Sequence, residues 1–114
     1  MATYPLQNAA LDGLDVAFAA VAGTNVSPDK FRLPTDKDVV LRIKNGDASD
    51  HTATIKAQNP CNQGSLHDTV VTIPAGTERS IGPIPRQFYA GTDGMAEVYY
   101  DATTSVTAAA VAVA

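Results

Sequence analysis

The scarcities of this chain narrow the field first. There is one cysteine, Cys61, in 114 residues, so no disulfide can close within the chain. A lone thiol fits a reducing compartment, or indifference to redox. Tryptophan is absent, and the aromatic set is Tyr4, Phe18, Phe31, Phe88, Tyr89, Tyr99 and Tyr100. That is a poor supply for a carbohydrate-stacking platform. Lys and Arg number 8 against 12 acids, for a net charge of -4. The basic residues are scattered, whereas phosphate contacts need them clustered, so nucleic acid is not an expected partner. No stretch approaches the roughly 20 apolar residues of a membrane span, so neither is a membrane. Residues 1–5 hold no basic run and no apolar core, so no signal peptide is expected.

What is present is small and polar. Alanine supplies 19 residues, and charged residues only 18%, below the usual quarter. The core must be thin, and Thr, Ser, Asn, Gln and Ala must finish the surface. The length suits one domain over residues 1–114. Segments between turn signals are strand-length. In residues 38–44, Val39, Leu41 and Ile43 alternate with Val40, Arg42 and Lys44, a half-buried strand. After the polar loop at Asn45-Gly46, residues 51–57 alternate again, and the two segments read as a hairpin. Residues 68–73 form a Thr/Val strand with Val71 and Ile73 inward. Pro74-Ala75-Gly76-Thr77 is a tight turn, with Pro at its second position and Gly76 at positive φ, near the fourth position or as the left-handed residue of a bulged hairpin. Residues 79–81 start a short strand that Pro83 and Pro85 confine to an edge or a bend. Residues 95–101 set Ala96, Val98 and Tyr100 against Met95, Glu97 and Tyr99, so one tyrosine of the Tyr99-Tyr100 pair packs and the other reaches water. Phe88 is expected in the core. Residues 11–22 fit a helix or a strand, with the strand favoured because Gly13 and Gly23 bound too short a helix.

Few groups offer chemistry. A hydrolase needs a nucleophile, a base and an orienting group, and the histidines are His51 and His67 alone. Cys61 and His67 make a conceivable pair, but a small loop residue beside a polar strand entry explains them better. No G-x-S-x-G elbow, phosphate-binding loop or H-E-x-x-H motif occurs. His51, Cys61, His67 and Asp68 lack the paired spacing of a zinc site. Asp47 and Asp50 lack a calcium-loop pattern and read as solvated turn acids. No catalytic residue, metal or cofactor is expected.

The ends carry more information. No charge precedes Asp12 and none follows Asp101. In residues 105–113 both faces of the strand are apolar or small. Such a strand is central, or another chain covers it, or it is a frayed tail. Taken as assembly surfaces, the two ends put Tyr4, Leu6, Leu11, Val106, Ala109, Val111 and Val113 at an interface.

Several segments resemble a known family. They are Leu41-Arg42-Ile43-Lys44-Asn45-Gly46, Cys61-Asn62-Gln63-Gly64, Val71-Thr72-Ile73-Pro74-Ala75-Gly76-Thr77-Glu78-Arg79 with Ile81-Gly82-Pro83, and Val98-Tyr99-Tyr100 with Thr104-Ser105-Val106-Thr107. Across residues 39–107 the chain resembles small β-sandwich proteins encoded beside the major capsid protein in tailed bacteriophages, which serve as head decoration or minor virion proteins. The most specific match is V-T-I-P-A-G-T-E-R-S-I-G-P; residues 1–38 lie outside the resemblance. The resemblance implies a non-enzymatic virion protein, made in the bacterial host cytoplasm, that binds the outer capsid surface and stabilises contacts between capsomers. Its expected partners are the major capsid protein and further copies of itself. A phage tail or connector component, or a small module binding a host-surface polysaccharide, is the alternative. The expected fold is all-β: one immunoglobulin-like or Greek-key sandwich of seven to nine strands, with residues 1–12 as an extended N-terminal docking arm.

Overall fold

The structure, a computed structural model, describes residues 2–9, 13, 16–59 and 68–113. Ten strands and one helical turn are present among them: β1 (Thr3–Tyr4), β2 (Leu6–Asn8), β3 (Ala19–Ala20), β4 (Asp29–Arg32), β5 (Asp38–Asn45), β6 (His51–Ile55), β7 (Thr69–Ile73), β8 (Glu78–Ile81), α1 (Arg86–Tyr89), β9 (Met95–Tyr100) and β10 (Val106–Val113). One sheet has the order β1-β4-β9-β6-β7. The other has β2-β10-β5-β8, with β3 also paired to β10. The two pack face to face as an all-β sandwich, richer by at least one strand than expected because its N-terminal strands are only two or three residues long.

Alternation makes these strands. Val39, Leu41 and Ile43 are buried while Lys44 opposite them is exposed, so each β5 side chain goes to the core or away from it by position. On β9 the buried set is Ala96, Val98 and Tyr100, and Tyr99 stays half-buried. Ile73 is buried on β7, with Val71 half-buried on the same face. Phe31, Leu41, Ile43, Ile55, Ile73 and Val98 join in one core cluster, each contributing roughly 1.5–3 kcal/mol through burial. Inward-facing Ala108 and Ala110 of β10 belong to the same cluster as the Tyr4, Phe31 and Tyr100 rings. Small residues on one sheet thus accommodate large ones on the other.

The pairing departs from several expectations. β5 and β6 do not form a hairpin: β5 pairs with β10 and β8, and β6 with β7 and β9. Their polar loop crosses between sheets. The turn after β7 is likewise a crossing, closed by Thr77 N–H donating to Pro74 O at 3.1 Å. Pro74 therefore stands first in it and Gly76 third, with φ +70, where only glycine is unstrained. β8 is an edge strand, as its flanking prolines require. β4 was not foreseen. It lies between β1 and β9, and its sequence D-K-F-R hides its inward face because one of the two inward residues is Asp29. The segment around Phe88 is a helical turn, and Phe88 is half-buried rather than a core residue.

Residues 2–9 are paired into the sandwich rather than extended as an arm, while the rest of the expected docking arm, residues 1 and 10–12, lies outside the described residues. β1 runs parallel to β4 in one sheet and β2 runs parallel to β10 in the other. Pro5, which has no N–H to pair, marks the step between them. In residues 11–22, Ala19 and Ala20 form a short strand, while Leu11, Asp12, Leu14 and Asp15 lie outside the described residues.

Candidate functional site

Those groups singled out for chemistry that lie among the described residues are engaged in holding the fold. His51 is 5% exposed, with Nε2 2.9 Å from Asp47 Oδ2 and Nδ1 3.2 Å from Asp101 Oδ1. Asp50 accepts the Ala75 N–H at 2.9 Å and Asp68 accepts the Ala57 N–H at 2.8 Å. Cys61 and His67 lie outside the described residues. Among the described residues no three His, Cys, Asp or Glu side chains are gathered as metal ligands.

The residues assigned to an interface through the uncharged ends are mostly covered by the chain itself. β10 is central, with β5 along one edge and β2 and β3 along the other. Val106 is buried facing the core. Ala109 and Val111, which point away from it, are also buried, at 1% and 7% exposure. Part of this outer face is dressed by Phe18, whose ring lies 4.0 Å from Lys44 Nζ and 5.5 Å from Arg42 Cζ. Arg42 is the cross-strand neighbour of Ala109. Gln7 anchors the segment before β3 by donating to Ala17 O at 2.7 Å and accepting the Ala17 N–H at 2.9 Å. Leu6 and Val113 are half-buried, and Leu11 lies outside the described residues.

Tyr4 is a core residue, 2% exposed, stacked on Phe31 with ring centroids 6.3 Å apart. Its hydroxyl donates to Asp29 Oδ2 at 2.6 Å and meets the Tyr100 hydroxyl at 2.7 Å. Asp29, fully buried, also accepts the N–H groups of Ala2 at 2.6 Å and Ala22 at 2.9 Å. Burial pushes both phenols well above their ordinary pKa. For Tyr4 the charge of Tyr100 and the hydrogen bond to Asp29 add to that; for Tyr100 the Asp29 charge does. Sequence reasoning missed this network, because a single Asp after a proline reads as a turn acid.

Several hollows open on the surface among the described residues, and two of them adjoin β7 or the outer face of the β6–β9 pair. At the rim opposite the N-terminus, β7 ends one sheet and β8 ends the other. Each has one edge free of strand partners among the described residues. β7 carries no charge, and its Val70 is 62% exposed. Below it runs a groove of about 350 Å3 lined by Thr69, Ile81, Pro83, Pro85 and Phe88 among others. The G-P-I-P-R-Q-F run, apolar but too proline-rich for a strand, was the available signal for that groove. The second surface is a trough of about 520 Å3 on the outer face of the β6–β9 pair. Thr52, Thr54, Tyr99 and Asp101 form its floor and ends, and Asn25 and Val26 stand beside it. Val26 is 83% exposed.

Compared with protein-family models, curated proteins and solved structures, the chain finds no match in any of the three.

Proposed function

We propose that the protein is a structural virion component, a decoration protein that binds the outer surface of a phage head and stabilises contacts between capsomers. One observation carries the reading. The segment with the most specific resemblance to head decoration proteins, residues 71–83, builds the free rim of the sandwich: most of β7, the inter-sheet turn, β8 and the start of the groove. An uncharged strand edge with an exposed valine beside an apolar groove suits docking against another protein. The capsid-facing surface in this reading is the β7–β8 rim, with the major capsid protein as partner, and not the two chain ends.

The experiment is sedimentation of the purified chain with particles assembled from the major capsid protein alone. Wild type is expected to cosediment. Val70→Lys with Phe88→Ser is expected to weaken binding at least tenfold while the circular dichroism spectrum stays native. Absent wild-type binding overturns the decoration reading. Full binding by the variant removes the rim from the interface.

The trough favours a second reading, a small module on a tail or connector that contacts a host-surface polysaccharide, with hydroxyls from Thr52 and Thr54 and the ring of Tyr99 facing the sugar. Titration of host polysaccharide into wild type and Tyr99→Ala separates the readings: binding lost in the variant supports the trough, and no binding by wild type rejects it.

A further inference from the structure

At one end of the sandwich the chain crosses between sheets three times, in residues 46–50, 74–77 and 101–105. The three crossings are stitched to one another. Gly46 N–H donates to Ser105 O at 2.8 Å, and Asn45 N–H to Thr77 O at 2.8 Å. The buried Asn45 side chain donates to Ser49 O and Ile73 O. Asp50 holds the Ala75 N–H. These crossings contain three acids, Asp47, Asp50 and Asp101, and no Lys or Arg. The one ionisable nitrogen base among them is His51, buried and set between Asp47 and Asp101.

We propose that His51 is a pH-operated clamp: as imidazolium it ties the β5–β6 crossing to the β9–β10 crossing, and on losing its proton it releases them.

Imidazolium offers two N–H groups, one to each carboxylate, whereas neutral imidazole offers one. Deprotonation therefore leaves one of the two carboxylates, half-buried Asp47 or exposed Asp101, facing a ring lone pair of the buried imidazole, and leaves three acids there without a local cation. No charge on the flanking elements replaces it. The residue opposite His51 on β7 is Ile73. Lys44 lies on the Phe18 ring, and Glu78 is bonded to Arg42. The bond to Asp47, followed by those to Asp101 and both charges, holds the His51 pKa above its ordinary value, against the opposing effect of burial. A base whose pKa is raised in the fold stabilises fully below the unfolded value and loses that stability as pH rises through the folded value. Asp47 is shifted down, chiefly by its bond to His51, so it adds a second opening on the acid side. The clamp is closed between the two and opens first, on raising pH, at the three crossings.

The test is amide hydrogen exchange on the intact chain from pH ~5.5 to ~9, corrected for intrinsic rates. The opening constants of the Gly46 and Ala75 amides are expected to rise by up to about tenfold per pH unit between imidazole's ordinary pKa and the raised folded value, and to level off beyond it. The Val98 amide, in central β9, should stay flat. In His51→Gln the rise should vanish. A companion NMR titration of the wild-type His51 ring, assigned with His67→Gln, needs no variant at position 51. Titration above the ordinary value, moved downward in Asp101→Asn, supports the clamp. Titration at or below the ordinary value, or the same exchange profile in His51→Gln as in wild type, overturns it.

Discussion

The two lateral rims of the sandwich are built in opposite ways. On the N-terminal side one segment serves both sheets: β1 finishes the first, β2 and β3 border β10 in the second, and Pro5 marks the step. Asp29 and the Tyr4–Tyr100 pair lock that segment from inside. On the other side β7 and β8 finish the two sheets and are joined by a four-residue turn. Nothing among the described residues pairs with their outer edges. The rim with the least charge in its sequence is thus the better sealed, and the rim with Glu78, Arg79 and two flanking prolines is the one left open. Open strand edges with such residues resist indiscriminate pairing.

The largest effects are expected on the sealed side. Val111→Asp should destabilise the fold by about 3 kcal/mol or more, because it buries a charge opposite Val40, with no cation as its cross-strand neighbour. Asp29→Ala should cost about 3–5 kcal/mol, leaving two backbone N–H groups and the Tyr4 hydroxyl without their acceptor. Urea midpoints measure both. A near-native midpoint for Val111→Asp would mean that the outer face of β10 is open to water.

Alkaline pH attacks the same rim. The Tyr4 and Tyr100 phenols have folded pKa values above the unfolded one, so their contribution is complete below the ordinary phenol range and is lost as pH climbs beyond it. Phenolate absorbance followed beside circular dichroism should show these two tyrosines ionising only together with unfolding. Reversible ionisation of all four tyrosines in a folded protein would contradict the buried network.

Smaller changes are expected at the open rim. Gly76→Val in the turn joining β7 to β8 should cost about 1–2 kcal/mol, all of it backbone strain. The reason is that a Cβ there has φ +70 to contend with and no atom within 4 Å. An unchanged melting temperature would place Gly76 outside the left-handed region. Val70→Thr should change stability by less than about 0.5 kcal/mol, since the side chain is mostly in water. A large loss would show that the β7 face is covered in solution.

Strand positions were legible because period-2 alternation survives even in a thin, Ala-rich core. β5, β6, β7, β9 and β10 all fall within two residues of their expected bounds, and the edge position of β8 is one of the two, edge or bend, that its prolines allowed. The positive φ of Gly76 followed from turn chemistry. Alternation marks which side chains point inward but not which sheet supplies the strand, so the β5–β6 crossing looked like a hairpin. β4 and the Asp29 network escaped because a buried carboxylate is recognisable only once its three donors, from Ala2, Tyr4 and Ala22, are seen around it. Those donors lie 27, 25 and 7 residues away. Phe88 looked like core because size and apolarity favour burial; a one-turn helix places it in the groove instead.

The sequence by itself determined an all-β chain. Its alternation, turn residues and scarcity of charge admit little else, and each of these is a local property. Tertiary structure alone decided that the uncharged C-terminal strand is central and that the N-terminal residues seal a rim rather than project from it. It also decided that, among the described residues, β7 and β8 are left with one unpaired edge each. Edge and centre are properties of neighbours. A strand's own residues state how it tolerates partners, but only long-range closure of the sandwich settles which partners it receives.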